Sequence, residues 1–138
     1  MLGKVLLIDT NVFLSVLLKQ NRFEESKDLL NKANELNLKI LISDFAVYSI
    51  FLLLNERGED KVFNRFIQYL EESNNIFIYR LQPSEIKEVY KLKQKLDLDD
   101  KIHYYIAKKK KASFVTYDRD FRKTDLASLT PAQTLKEL

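Results

Sequence analysis

Val5-Leu6-Leu7-Ile8-Asp9-Thr10-Asn11 is the stretch from which the rest of the chain can be read. Its first four residues form a short, unbroken apolar run with β-branched members. Such a run suits a strand buried on both faces, as in a parallel sheet covered by helices on either side. Asp9-Thr10-Asn11 interrupts it, and Asn11 is placed to cap a helix over residues 12–18. The same alternation continues downstream. Strands are expected over 38–42, 76–79 and 114–117. Helical spacing runs through 23–36, through 45–54 behind the capping pair Ser43-Asp44, and through 61–72. The helix after Ser43-Asp44 closes at Arg57-Gly58. Pro83-Ser84-Glu85 opens another helix, Asp99-Asp100 the next, and Thr130-Pro131 a short last one. Strands alternating with helices predict an α/β fold with a mostly parallel sheet and helices on both faces. Without repeat, linker or composition break, residues 1–138 read as a single domain.

Composition narrows the chemistry. The chain has 138 residues, 46% hydrophobic and 31% charged, which is ordinary for a folded domain. Its net charge of +3 permits an anionic partner without demanding one. With Gly3 and Gly58 as the glycines, a Gly-rich phosphate loop or dinucleotide fingerprint is excluded. The absence of cysteine removes thiolate zinc sites, iron–sulfur clusters, thiol nucleophiles and disulfides. A lone His103 excludes multi-histidine metal sites, and no G-x-S-x-G elbow supports a serine nucleophile. Any chemistry falls to carboxylates. The run at Val5–Ile8 is too short for a signal-peptide core, and the apolar stretch at 45–54 is about half of what a bilayer requires. A cytoplasmic protein without a membrane partner is expected.

The carboxylates fall at telling places. In an open parallel sheet, ligands sit beyond the carboxyl ends of the strands. Asp9 lies just past the first strand, Asp118 follows the strand ending at Tyr117, and Asp120 is two residues further on. Asp99 and Asp100 begin a helix, where free N–H groups and the dipole favour negative charge. Neighbouring helical residues face different ways, so one of that pair should point into a site. Each feature alone also has a plain reading: Asp9-Thr10-Asn11 and Asp99-Asp100 as caps, and Asp118-Arg119-Asp120 as a turn. Together they predict one acidic cluster. Carboxylates 4 Å apart repel by about 4 kcal/mol per pair at an effective dielectric near 20, which a bound divalent cation relieves. Oxygen-only ligands select Mg2+ or Mn2+. Such an ion activates water and stabilises charge on a phosphoryl group, which points to phosphodiester hydrolysis.

At these residues the chain resembles the PIN domain, a family of metal-dependent ribonucleases that includes toxins of toxin–antitoxin pairs. The resemblance rests on Val5 to Asn11, on Leu98-Asp99-Asp100-Lys101-Ile102-His103-Tyr104-Tyr105-Ile106-Ala107, and on Phe114-Val115-Thr116-Tyr117-Asp118-Arg119-Asp120-Phe121. It runs almost from end to end. It implies a three-layer α/β/α sandwich, with Asp9, Asp100 and Asp118 as catalytic, metal-binding carboxylates and Asp120 as a fourth ligand. Asn11, Asp99 and Thr116 match supporting positions around the cluster. RNA as substrate, an antitoxin protein as partner and a homodimer are also implied. One position departs from the family. A glutamate about six residues past a Ser or Thr such as Ser43 is usual there, and Ser49 occupies that place. Either Asp44 or a water substitutes for it, or the site holds its metal more weakly. A PIN-like RNA- or protein-binding module without catalysis is therefore the alternative reading.

The remaining features read more plainly. Lys108 to Lys111 are cations at a helix end, where they complement the dipole; contact with RNA phosphates is the second reading. His103, one turn from Asp100, reads as packing rather than as ligand or base. The helix over 45–54 is apolar almost all round, so it belongs to the core or to a dimer interface. A phosphoacceptor domain ranks last: Asn11 stands where a second aspartate would be needed, and Arg80 follows the strand over 76–79.

Overall fold

A computed structural model describes residues 5–119, 121 and 124–138. The elements run β1 (Val5–Ile8), α1 (Thr10–Leu17), α2 (Phe23–Glu35), β2 (Lys39–Ser43), α3 (Asp44–Glu56) and α4 (Asp60–Glu72). They continue with β3 (Ile76–Tyr79), α5 (Pro83–Tyr90), α6 (Leu98–Lys110), β4 (Ser113–Val115), β5 (Ser128–Leu129) and α7 (Pro131–Lys136). The strands form one sheet in the order β3-β2-β1-β4-β5, each pair of neighbours parallel. Leu7 stands beside Leu41 on one side and Phe114 on the other.

Successive strand residues face opposite sides of the sheet, and both sides are covered. Leu6, Ile8, Ile40, Ile42 and Val115 pack with Val12 and Phe13 of α1, Leu29 and Ala33 of α2, Ile50 of α3 and Phe66 of α4. Leu135 of α7 joins the same layer. Leu7, Leu41 and Phe114 point the other way, toward Val89 of α5 and Ile102 and Ile106 of α6. The result is a three-layer α/β/α sandwich. Burial on both faces is why β1, β2 and β4 read as unbroken apolar runs, whereas the edge strand β3 leaves Phe77 and Ile78 about half exposed. Leu6, Leu7 and Ile8 are fully buried, each contributing about 1.5–3 kcal/mol through removal from water.

The strand order places the site. From β1 the chain moves outward to β2 and β3, then returns past β1 to β4 and β5. A crevice therefore opens beyond the carboxyl ends of β1 and β4, where the order reverses. Each helix that follows a strand starts at that edge, and the first turn of α6 comes back to it.

Three expectations need correction. Asp9, not Asn11, caps α1: its carboxylate accepts from the Thr10 N–H at 2.7 Å, so the helix starts at Thr10. Asn11 is drawn into the first turn because its amide serves the segment after β4. That strand ends at Val115 rather than Tyr117. Thr116 N–H still reaches the Leu129 carbonyl, but the Tyr117 N–H turns toward Asn11 Oδ1. Finally, β5 was not expected, since Ser128-Leu129 carries no apolar run. The remaining elements fall where the spacing places them, with ends shifted by one or two residues. Gly58, at φ +67°, takes the left-handed conformation that closes α3. No described helix is long and apolar enough to cross a membrane.

Candidate metal centre

Thr116 organises the edge between β1 and β4. Its hydroxyl donates to Asp9 Oδ2 at 2.8 Å and accepts from Asn11 Nδ2 at 3.2 Å and from the Asp118 N–H at 3.0 Å. Asn11 Oδ1 in turn accepts from the Tyr117 N–H. Asp9 is 9% exposed and Thr116 is 2% exposed, so this network holds a largely desolvated carboxylate in one orientation. Four of the sequence-predicted residues, Asp9, Asn11, Thr116 and Asp118, thus meet through hydrogen bonds.

The first turn of α6 supplies the other half. Asp97 is its N-cap residue, and carboxylate oxygens of Asp97, Asp99 and Asp100 all lie within 4.8 Å of one another. Asp100 points inward and is buried, while Asp97 and Asp99 are exposed at the rim. The expectation that one of Asp99 and Asp100 faces the site holds for burial, yet their carboxylates still share one neighbourhood. Burial, and then the charges of Asp99, Asp118, Asp9 and Asp97, push the Asp100 carboxyl up to about 7. That effect is a geometric result as well as an electrostatic one. Carboxylates from the end of β1, the start of α6 and the segment after β4 lie within one another's field.

The donor set fits a hard divalent cation. Every candidate ligand is an oxygen, and the cluster gathers like charge in a partly desolvated place. Such a site gains most from an oxygen-seeking dication such as Mg2+ or Mn2+.

His103 is buried at the same edge. Its Nδ1 lies 2.9 Å from the Asp99 carbonyl oxygen and its Nε2 lies 3.1 Å from Ser43 Oγ. Nδ1 is also 4.0 Å from Asp9 Oδ1. Neither Asp97 nor the His103–Ser43 link was anticipated. The Asp97-x-Asp99-Asp100 spacing was a usable signal for the first, since it puts acids at the cap and twice in the first turn.

Asp44 and Ser49 stand on α3. Asp44 Oδ1 accepts from the Phe45 N–H at 2.9 Å. Asp44 lines a cleft of about 470 Å³ with Phe45, Tyr48, Val89, Tyr90 and Ile102. Ser49 is half-buried on α3. Asp120 lies outside the described residues. The lysine run sits at the far end of α6, where Lys108 pairs with Asp125 at 2.8 Å and Lys109 with Glu85 at 3.0 Å.

A sequence profile of the PIN domain matches residues 6–126. No curated protein sequence matches the chain significantly. Among solved structures, it is similar to VapC20 of Mycobacterium tuberculosis, a sarcin–ricin loop cleaving toxin. There the TM-score is 0.74 at 14% identity, over 91% of this chain and 99% of that one. A toxin–antitoxin complex from Klebsiella pneumoniae gives 0.68 at 22% identity, over 91% and 96%. VapBC2 from Rickettsia felis, bound to a DNA fragment from their promoter, gives 0.68 at 14%, over 91% and 96%. At such identities the likeness is one of fold.

Proposed function

Because the chain belongs to the PIN domain family, we propose that it is a metal-dependent endoribonuclease, the toxin of a toxin–antitoxin pair. The observation that carries this reading is the meeting of Asp9 and Asp118 through Thr116 on one side and the Asp97, Asp99 and Asp100 carboxylates on the other, with His103 Nδ1 2.9 Å from the Asp99 carbonyl oxygen and 4.0 Å from Asp9 Oδ1. Asp9, Asp100 and Asp118 are the proposed catalytic ligands of Mg2+ or Mn2+, with Asp99 and Asp97 at the rim. When bound, the ion supplies positive charge toward the phosphodiester and makes water more acidic. Thr116 fixes the Asp9 carboxylate through its hydroxyl, and Asn11 fixes Thr116 and the turn that carries Asp118. In the metal-free protein, burial and the neighbouring carboxylates favour the protonated form of the Asp100 carboxyl. The cleavage ascribed to the Mycobacterium neighbour supports an RNA substrate, and the Klebsiella and Rickettsia complexes support an antitoxin partner.

RNA incubated with the protein should yield fragments in Mg2+ or Mn2+ and none in EDTA. Asp9→Asn should lower the rate at least about a hundredfold, beyond the 10–100-fold typical of groups that only support ligands. Cleavage that survives this substitution contradicts the assignment.

A second reading has its own observation. Ser49 on α3 brings no carboxylate to the place where the family usually has one, and Asp44 is hydrogen-bonded at the mouth of a neighbouring cleft. A PIN-like binding module would bind RNA yet release no fragments across Mg2+ and Mn2+ titrations. Activity gained by Ser49→Glu would favour that reading.

A further inference from the structure

We propose that His103 is a positioning residue of the carboxylate centre. Its imidazole ties the first turn of α6 to the end of β2 and so sets where the Asp99 and Asp100 carboxylates stand relative to Asp9. The inference rests on the proposed metal-binding role of that centre.

The direction of the hydrogen bonds follows from the partners. The Asp99 carbonyl is an acceptor only, so His103 Nδ1, 2.9 Å away, carries the hydrogen. In the neutral ring Nε2 is then an acceptor, and the Ser43 hydroxyl donates to it across 3.1 Å. Ser43 Oγ itself accepts from the Ala46 N–H at 3.0 Å, as the N-cap of α3. A continuous relay therefore runs from the Ala46 N–H through Ser43 and His103 to the Asp99 carbonyl. That carbonyl belongs to the peptide unit joining Asp99 to Asp100, so the relay grips the backbone between two of the acids.

The ring has little freedom. His103 is 2% exposed and lies nearly parallel to Phe114 of β4, with centroids 5.5 Å apart and 21° between planes. Asp9 Oδ1, at 4.0 Å, is beyond hydrogen-bonding distance, and the N–H is spent on Asp99. The imidazole thus bonds Ser43 of β2, stacks on Phe114 of β4 and lies near Asp9 beyond β1, while bonded to the Asp99 carbonyl of α6. A side chain that merely filled this space would need neither bond. Groups that orient metal ligands typically change affinity 10–100-fold when removed.

The test is Mn2+ binding to the folded chain, read by electron paramagnetic resonance, in two polar variants. His103→Asn keeps an N–H at the Nδ1 position and so keeps the Asp99 link. His103→Gln reaches the Nε2 position and keeps only the Ser43 link. Each variant breaks one link of the tie, so Gln and Asn should each weaken Mn2+ binding about tenfold or more. Ser43→Ala, which breaks the same link as Asn, should weaken binding to the same extent, and adding it to Asn or to Gln should cost little more, because the relay acts as one unit. Either His103 variant binding Mn2+ as wild type does, or Ser43→Ala adding its full loss to theirs, overturns the inference. Wild type that binds Mn2+ but cleaves no RNA sinks the nuclease reading and leaves the relay standing. Wild type that binds no Mn2+ overturns both.

Discussion

Asp100 meets burial and four neighbouring carboxylates, all acting in one direction, and its carboxyl rises from 3.8 to about 7. A raised carboxyl favours the protonated folded state. The stability it allows is complete below about pH 4 and is lost as pH climbs toward 7. Asp100→Asn removes the charge, so in EDTA this variant should exceed wild type in stability at pH 8, by up to about 4 kcal/mol. At pH 4 the two should melt together. Thermal unfolding at both pH values checks this, and no gain at pH 8 contradicts it. Asp9, Asp100 and Asp118 were readable in the sequence because each follows a strand or opens a helix. His103 was not. Its partners are fixed by a contact with Ser43, 60 residues away, which no local pattern encodes, so a lone histidine on a helix reads as packing.

At the scale of elements, the lysine run shows how tertiary structure decides a surface. Lys109 extends from the last turn of α6 to Glu85 of α5, which also accepts from the Tyr79 hydroxyl of β3 and the Gln82 N–H. Burial alone would raise the Glu85 carboxyl, but the hydrogen bonds from Tyr79, Gln82 and Lys109 outweigh it and bring it down to about 2. A lowered carboxyl stabilises the fold above about pH 4.5 and loses that contribution as pH falls toward 2. Glu85→Gln should therefore lower stability by about 1–2 kcal/mol at neutral pH, with the difference from wild type narrowing from pH 4.5 downward. Chemical denaturation across that range measures it. The cations that sequence reading divided between dipole partners and RNA contacts thus hold α5 against α6 at Lys109 and reach Asp125 at Lys108. The inner strands β1, β2 and β4 were readable as apolar runs because both faces of the sheet are covered there. The two residues of β5 were not, because Ser128-Leu129 is short, half-buried and carries no apolar run.

At the scale of the molecule, the three layers follow from alternation along each strand, which is why the architecture was readable from one sequence. The outer surface of α3 was not, since an apolar helix serves a core or a partner equally well. Ala46, Ile50 and Leu54 face the core, whereas Tyr48 and Leu52 are exposed at 67% and 61%. Tyr48 shares the 470 Å³ cleft with Ile86, Tyr90 and Leu98, all exposed. A contiguous apolar surface of this kind suits the homodimer that the family resemblance implies. Light scattering should return twice the chain mass for wild type and the chain mass for Tyr90→Glu; a monomeric wild type rules the dimer out.

The most direct test of the acidic centre is a crystal of the chain soaked in Mn2+, with diffraction recorded at the manganese edge. An anomalous peak about 2.0–2.3 Å from carboxylate oxygens of Asp9 and Asp100 is expected, with Asp118 beside it. A map without that peak, or with manganese only at other surface acids, contradicts the account.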